Sequence, residues 1–61
     1  MEHKPGFGTR VIMTNGKHGV VEAWPKKDKH QDKVLVHKDG EVGSNSSVMC
    51  KFINLKEEER E

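Results

Sequence analysis

An all-β fold, a small five-stranded antiparallel barrel, follows from three features of this sequence. Apolar residues fall in short runs rich in β-branched side chains. Turn residues separate those runs every several positions, and little of the chain reads as helix. A flat sheet of this size would expose its edges and bury too little apolar surface, so the strands are expected to curl on themselves.

The elements follow in order. Residues 1–6 form a flexible lead-in that Pro5-Gly6 punctuates, the barrel occupies residues 7–56, and residues 57–61 are an acidic solvated tail. The first strand is expected over Thr9 to Met13, with Val11 and Met13 on one face. Thr14-Asn15-Gly16-Lys17-His18 carries the residues of a tight reversal, because Asn and Gly tolerate positive φ. A second strand runs from Gly19 to about Trp24, alternating Val20, Glu22 and Trp24 with Val21 and Ala23. Gly19 at its entrance suits a bulge or a close approach of two backbones. Pro25 ends or bends this strand, and residues 26–32 lack any apolar side chain, as an exposed loop does. Val34-Leu35-Val36-His37 is the clearest strand, and Asp39-Gly40 after it is a hairpin signal. Gly43 to Ser47 reads as loop, followed by a short strand from about Ser47 to Cys50. A 3₁₀ turn at Lys51-Phe52-Ile53 then precedes a last strand, Asn54-Leu55-Lys56. The expected core is Val11, Met13, one of Val20 and Val21, Trp24, Val34, Val36, Val48, Phe52, Ile53 and Leu55.

Sixty-one residues allow one domain with a thin margin of stability, since such a chain buries only about 60% of its unfolded surface. Hydrophobic residues at 31% against 34% charged make a lean core under a charged surface, and the patterned middle of the chain argues against disorder there. Cys50 is the only cysteine, so no intrachain disulfide forms; its expected state is a buried, inert thiol. The residues from Met1 to Pro5 lack a signal-peptide core and no run approaches membrane-spanning length, which points to a reducing cytoplasm and no membrane partner.

The net charge of +1 hides a polarity. Residues 1–38 carry eight Lys/Arg against four Asp/Glu, and residues 39–61 carry three against six. A basic front suits an anionic partner, with the tail shielding it; the plain alternative is a mixed, solubilising surface. Lys17 and His18 sit at the expected turn tip with Arg10 nearby, where cations reach phosphate without being buried. Lys26, Lys27, Lys29 and Lys33 form the densest positive cluster, interrupted by Asp28 and Asp32. Either set is a phosphate contact or a solvated loop. Trp24, the only tryptophan, is either core or an exposed ring that stacks on a base or fills a partner's pocket, and Phe7 with Trp24 would form a protein contact. His3, His18, His30, His37 and Cys50 show no metal-ligand spacing, and neither a metal nor a cofactor is expected. No catalytic constellation is evident.

The segment Arg10-Val11-Ile12, Gly16-Lys17-His18, Gly19-Val20-Val21 resembles the opening of an SH3-like barrel of the KOW type. Val48-Met49-Cys50-Lys51-Phe52-Ile53-Asn54-Leu55 is similar to the strand, 3₁₀ turn and last strand that close such barrels. The resemblance spans about residues 7 to 56 and rests on spacing and residue type. KOW domains occur in ribosomal proteins and transcription factors of the NusG kind. The resemblance therefore implies binding to DNA, RNA, RNA polymerase or ribosomal components, with the family's turn falling on Asn15 through His18.

The leading expectation is a non-enzymatic cytoplasmic module that binds nucleic acid through its backbone and regulates transcription or translation, as a phage or bacterial small protein would. A protein-binding adaptor or inhibitor acting on a polymerase or another complex is the second reading, with self-association as a variant. An enzyme is the third. Plasmid-type dihydrofolate reductases are also tiny SH3-like barrels, but their active-site Val-Gln-Ile-Tyr run is replaced here by Val48-Met49-Cys50-Lys51.

Overall fold

The computed structural model describes residues 1–26, 28–43 and 45–58. Five antiparallel strands make one sheet: β1 (Arg10–Ile12), β2 (His18–Ala23), β3 (Lys33–Lys38), β4 (Ser47–Lys51) and β5 (Lys56–Glu57). Their order across the sheet is β4-β3-β2-β1-β5. The all-β fold of five antiparallel strands is as expected; among the described residues no ladder joins β4 to β5, so the sheet is open and is a barrel only in a loose sense. A 3₁₀ turn spans Asp28–His30 between β2 and β3, and another, Phe52–Asn54, precedes β5.

Alternation along the strands fixes the inner face. Val11, Val21, Val34 and Val36 are essentially sealed from solvent, and Met13 and Leu55 complete the core. At the turn after β1, Met13 N–H donates to Lys17 O (2.8 Å) and Gly16 N–H to Met13 O (2.9 Å). Gly16 takes the left-handed conformation there (φ +83°), and Lys17 N–H donates to Asn15 Oδ1 (2.9 Å).

Gly19 is buried, and its small size is what the fold requires. A Cβ at this position would lie 2.5 Å from Val36 Cγ1 and 2.8 Å from His37 O, so β2 and β3 approach as the sequence suggested. Two residues on, Val21 pairs with Val36 but Ala23 pairs with Leu35, which leaves Glu22 as a bulge. The bulge rephases the strand. Ala23 moves to the outer face with Leu35 and Met49, against the simple alternation expected from sequence.

Asp39-Gly40 turns the chain, with Gly40 at φ +77° and Glu41 N–H donating to Lys38 O (3.4 Å), but it does not close a two-residue hairpin. The chain continues through a loop before Lys38 N–H donates to Ser46 O (2.7 Å) and β4 begins. Ser46 Oγ donates to Gly43 O (2.7 Å), which satisfies that hydroxyl within the loop.

Three expected core residues are not core. Ile53 is 69% exposed, because side chains three apart in a 3₁₀ turn eclipse one another: Phe52 and Leu55 face inward and Ile53 faces out. Val48 lies opposite Val36, but β4 is an edge strand, so one flank of Val48 stays open and it is 37% exposed. Trp24 lies past the last ladder pair of β2, where no strand faces it, and is 44% exposed.

The first residues, expected as a lead-in, lie against the sheet. The Met1 nitrogen donates to Phe52 O (2.9 Å) and Leu55 O (2.7 Å), and Pro5 is buried. At the other end, Glu57 belongs to β5 rather than to the acidic tail, and Glu58 N–H donates to Arg10 O (3.1 Å). The rest of the expected tail, residues 59–61, lies outside the described residues. No described helix is long and apolar enough to cross a membrane.

Candidate nucleic-acid interface

Six of the seven cations singled out from sequence are described, and they separate into two groups at opposite ends of β3. Lys33 opens that strand and Lys38 closes it, a span of about 17 Å at 3.3–3.4 Å per residue. Arg10, Lys17 and His18 gather near Lys38, Asp39 and Glu41, and together these line one open cleft. Lys26, Lys29 and Lys33 lie at the other end, on the β2–β3 connection and the first residue of β3; Lys27 lies outside the described residues.

In the first group the cations already have anionic partners. Arg10 Nη1 donates to Asp39 Oδ1 (3.0 Å), Nη2 pairs with Asp39 Oδ2, and Nε donates to Glu58 Oε2 (3.0 Å). The planar guanidinium presents a fork that two carboxylates fill, which is the geometry a phosphate would otherwise use. The carboxyl of Asp39 is held below its ordinary pKa mainly by the Arg10 hydrogen bond. That of Glu58 is lowered by His18, whose Nδ1 lies 3.2 Å from Oε2, and then by Arg10. Arg10 itself is raised further above its already high value, by Asp39 and then Glu58. Lys38 faces Glu41 at 3.4 Å. Of this group Lys17 alone has no carboxylate partner among the described residues. The sequence marked Arg10 as a phosphate contact because its charge was visible and the position of Asp39 and Glu58 was not.

The second group is different. Lys26, Lys29 and Lys33 form no ion pair among the described residues. Lys33 also stands directly opposite Lys51 in the β3–β4 ladder. Directly opposed like charges on neighbouring strands destabilise a sheet, since their Cβ atoms are only about 4.5–5.5 Å apart. Lys51 went unnoticed from sequence because only the strand register brings it to Lys33.

Phe7 and Trp24, expected as a possible contact, come together beside this second group. Their ring centroids are 4.9 Å apart at a tilt of 58°, with Phe7 66% exposed. The indole Nε1 donates to Pro5 O (2.9 Å), which fixes the ring without external help. Lys4 Nζ stands 5.1 Å from the Trp24 ring centre and donates to Gln31 Oε1 (3.1 Å), tying the aromatic pair to the β2–β3 connection.

On the outer face of the sheet Ser47 Oγ donates to Glu22 Oε1, and His37 Nδ1 lies 3.6 Å from Glu22 Oε2. Here the carboxylate, not the imidazole, holds the hydroxyl, so the three do not form a nucleophile–base relay. Among the described residues no three His, Cys, Asp or Glu side chains gather as metal ligands would. Cys50 is half-buried, and burial pushes its thiol pKa up, away from the reactive thiolate. No family model, curated protein or solved structure matches this chain.

Proposed function

We propose that this protein is a small, non-enzymatic, cytoplasmic module that binds nucleic acid through its phosphate backbone and acts in transcription or translation regulation. The observation that carries the reading is the set of lysines without carboxylate partners among the described residues, Lys26, Lys29 and Lys33, beside an exposed aromatic pair. Phosphate binding draws its free energy from such cations as they displace condensed counterions. The likeness of the strand–turn–strand opening to KOW domains supports the same direction, with Lys17 and His18 exposed at the turn. Arg10 is set aside from the interface, because Asp39 and Glu58 already occupy its fork.

The test is anisotropy of labelled DNA and RNA, duplex and single-stranded, titrated with the protein at low and moderate salt. Affinity is expected to fall steeply with salt and to collapse in the double charge reversal Lys26→Glu, Lys29→Glu. Absence of binding to every probe at low salt rejects the proposal. A second reading, docking to a protein complex, is favoured by the exposure of Phe7 and Trp24. It predicts an affinity nearly independent of salt and lost on Phe7→Ala.

A further inference from the structure

Resting on that reading, we infer that the ligand is an unpaired nucleic-acid strand, with a base stacked on the Phe7–Trp24 pair and a phosphate gripped between Lys33 and Lys51.

Two independent features lead there. The first is the aromatic pair. Leaving a large apolar ring in water forgoes about 1.5–3 kcal/mol of burial, and a lean core has reason to take such a ring inside. Instead Phe7 stands out between Gly6 and Gly8, and Trp24 is anchored by its own N–H to Pro5 O while its ring stays half-open. In this tilted contact both rings keep open surface. A duplex offers such a surface only groove edges and phosphates, because its base faces are stacked on one another. An unpaired base offers its π-face, and any base serves.

The second feature is the lysine pair. Lys33 and Lys51 oppose each other on the ladder, and neither forms an ion pair among the described residues, so an anion placed there relieves their repulsion. Gln31, which accepts the Lys4 hydrogen bond beside Trp24, lies two residues before Lys33, at most about 7 Å along the backbone. Stacking surface and phosphate clamp therefore adjoin at one end of the sheet. The charge there favours an anion: Lys4, Lys26, Lys29, Lys33 and Lys51 stand against Asp28 and Asp32 in the same loop.

The experiment uses Trp24, the sole tryptophan, as its reporter. A short oligothymidylate and a DNA hairpin of matching phosphate count, closed by a non-nucleotide linker so that no base is unpaired, are titrated separately, following both Trp24 fluorescence and anisotropy of the labelled probe. The oligothymidylate is expected to quench Trp24 and to bind at least about tenfold tighter than the hairpin. Phe7→Ala is expected to weaken it about tenfold while Phe7→Tyr keeps the affinity, as a stacking platform requires. Lys51→Gln is expected to reduce the logarithmic salt slope by about 0.7, the share of one phosphate on a single strand. Both positions are exposed, and the urea midpoint of each variant checks that the fold is retained. A hairpin that binds as tightly as the oligothymidylate overturns the unpaired-strand inference while leaving nucleic-acid binding in place. So does an affinity for oligothymidylate that neither Phe7→Ala nor Lys51→Gln changes. If neither probe binds, both readings fall together.

Discussion

Adding one methyl group at Gly19 is expected to be among the most damaging small changes this chain can take. The new Cβ would sit 2.5 Å from Val36 Cγ1 and 2.8 Å from His37 O. Carbon atoms prefer about 3.5–4.0 Å, so roughly an ångström must be recovered. Neither neighbour yields easily. Val36 is fully buried with a stiff, β-branched side chain, and the other obstacle is backbone in the β2–β3 ladder. Overpacking of this kind costs about 1–3 kcal/mol, and the backbone contact places Gly19→Ala in the upper part of that range. The usual gain from stiffening the unfolded chain, about 0.4–1 kcal/mol, offsets only part of it. A domain of this size has about 3–9 kcal/mol in total, so the loss is a large fraction. Thermal unfolding followed by circular dichroism should show Tm lower by roughly 5–20 °C, at about 4–8 °C per kcal/mol. Trimming Val36 to Ala in the same chain should recover part of the clash, so the double variant is expected to be less destabilised than the two single losses added, by about 1 kcal/mol. A Gly19→Ala protein as stable as the parent would refute the argument from close approach.

Two further expectations concern charge and packing. Because the Asp39 and Glu58 carboxyls are held below their ordinary values when folded, their stabilisation is present above the unfolded pKa and is lost as pH falls through the folded one. The urea-midpoint gap between the parent and Arg10→Gln should therefore be full near neutral pH and close below about pH 4; a gap unchanged in acid would show that the network does not act through these carboxylates. Val34→Ala removes a sealed core side chain and should cost about 2–3 kcal/mol, whereas Val42→Thr, at a position 92% exposed, should stay within about 0.5 kcal/mol of the parent. Equal losses at the two sites would contradict the assignment of inner and outer positions.

Much of the fold was legible because its signals are local. β-branched runs flanked by lysines located β3, and the spacing of Asn15 and Gly16 located the first turn. Phe52 and Leu55 at the end of the chain read as core and pack as such. What failed was whatever depends on a neighbour. Glu22 read as one position in a regular alternation, yet the β2–β3 register makes it a bulge and carries Ala23 to the other face. Trp24 read as core on hydrophobicity, but it lies beyond the ladder and rests on Phe7.

The candidate interface divides in the same way. Lys26, Lys29 and Lys33 were visible as a run of charge, and Phe7 with Trp24 as two of three aromatic residues. Sequence alone determined which side chains carry charge and rings, and which segments form strands, because those follow from residue type and alternation. Tertiary structure decided which charges remain uncompensated. It spent Arg10 on Asp39 and Glu58, residues 29 and 48 positions away, and set Lys51 opposite Lys33 through the β3–β4 register. Coulomb interactions fall with distance in space, not along the chain, so a cation's freedom to meet a ligand is settled only once the sheet has formed.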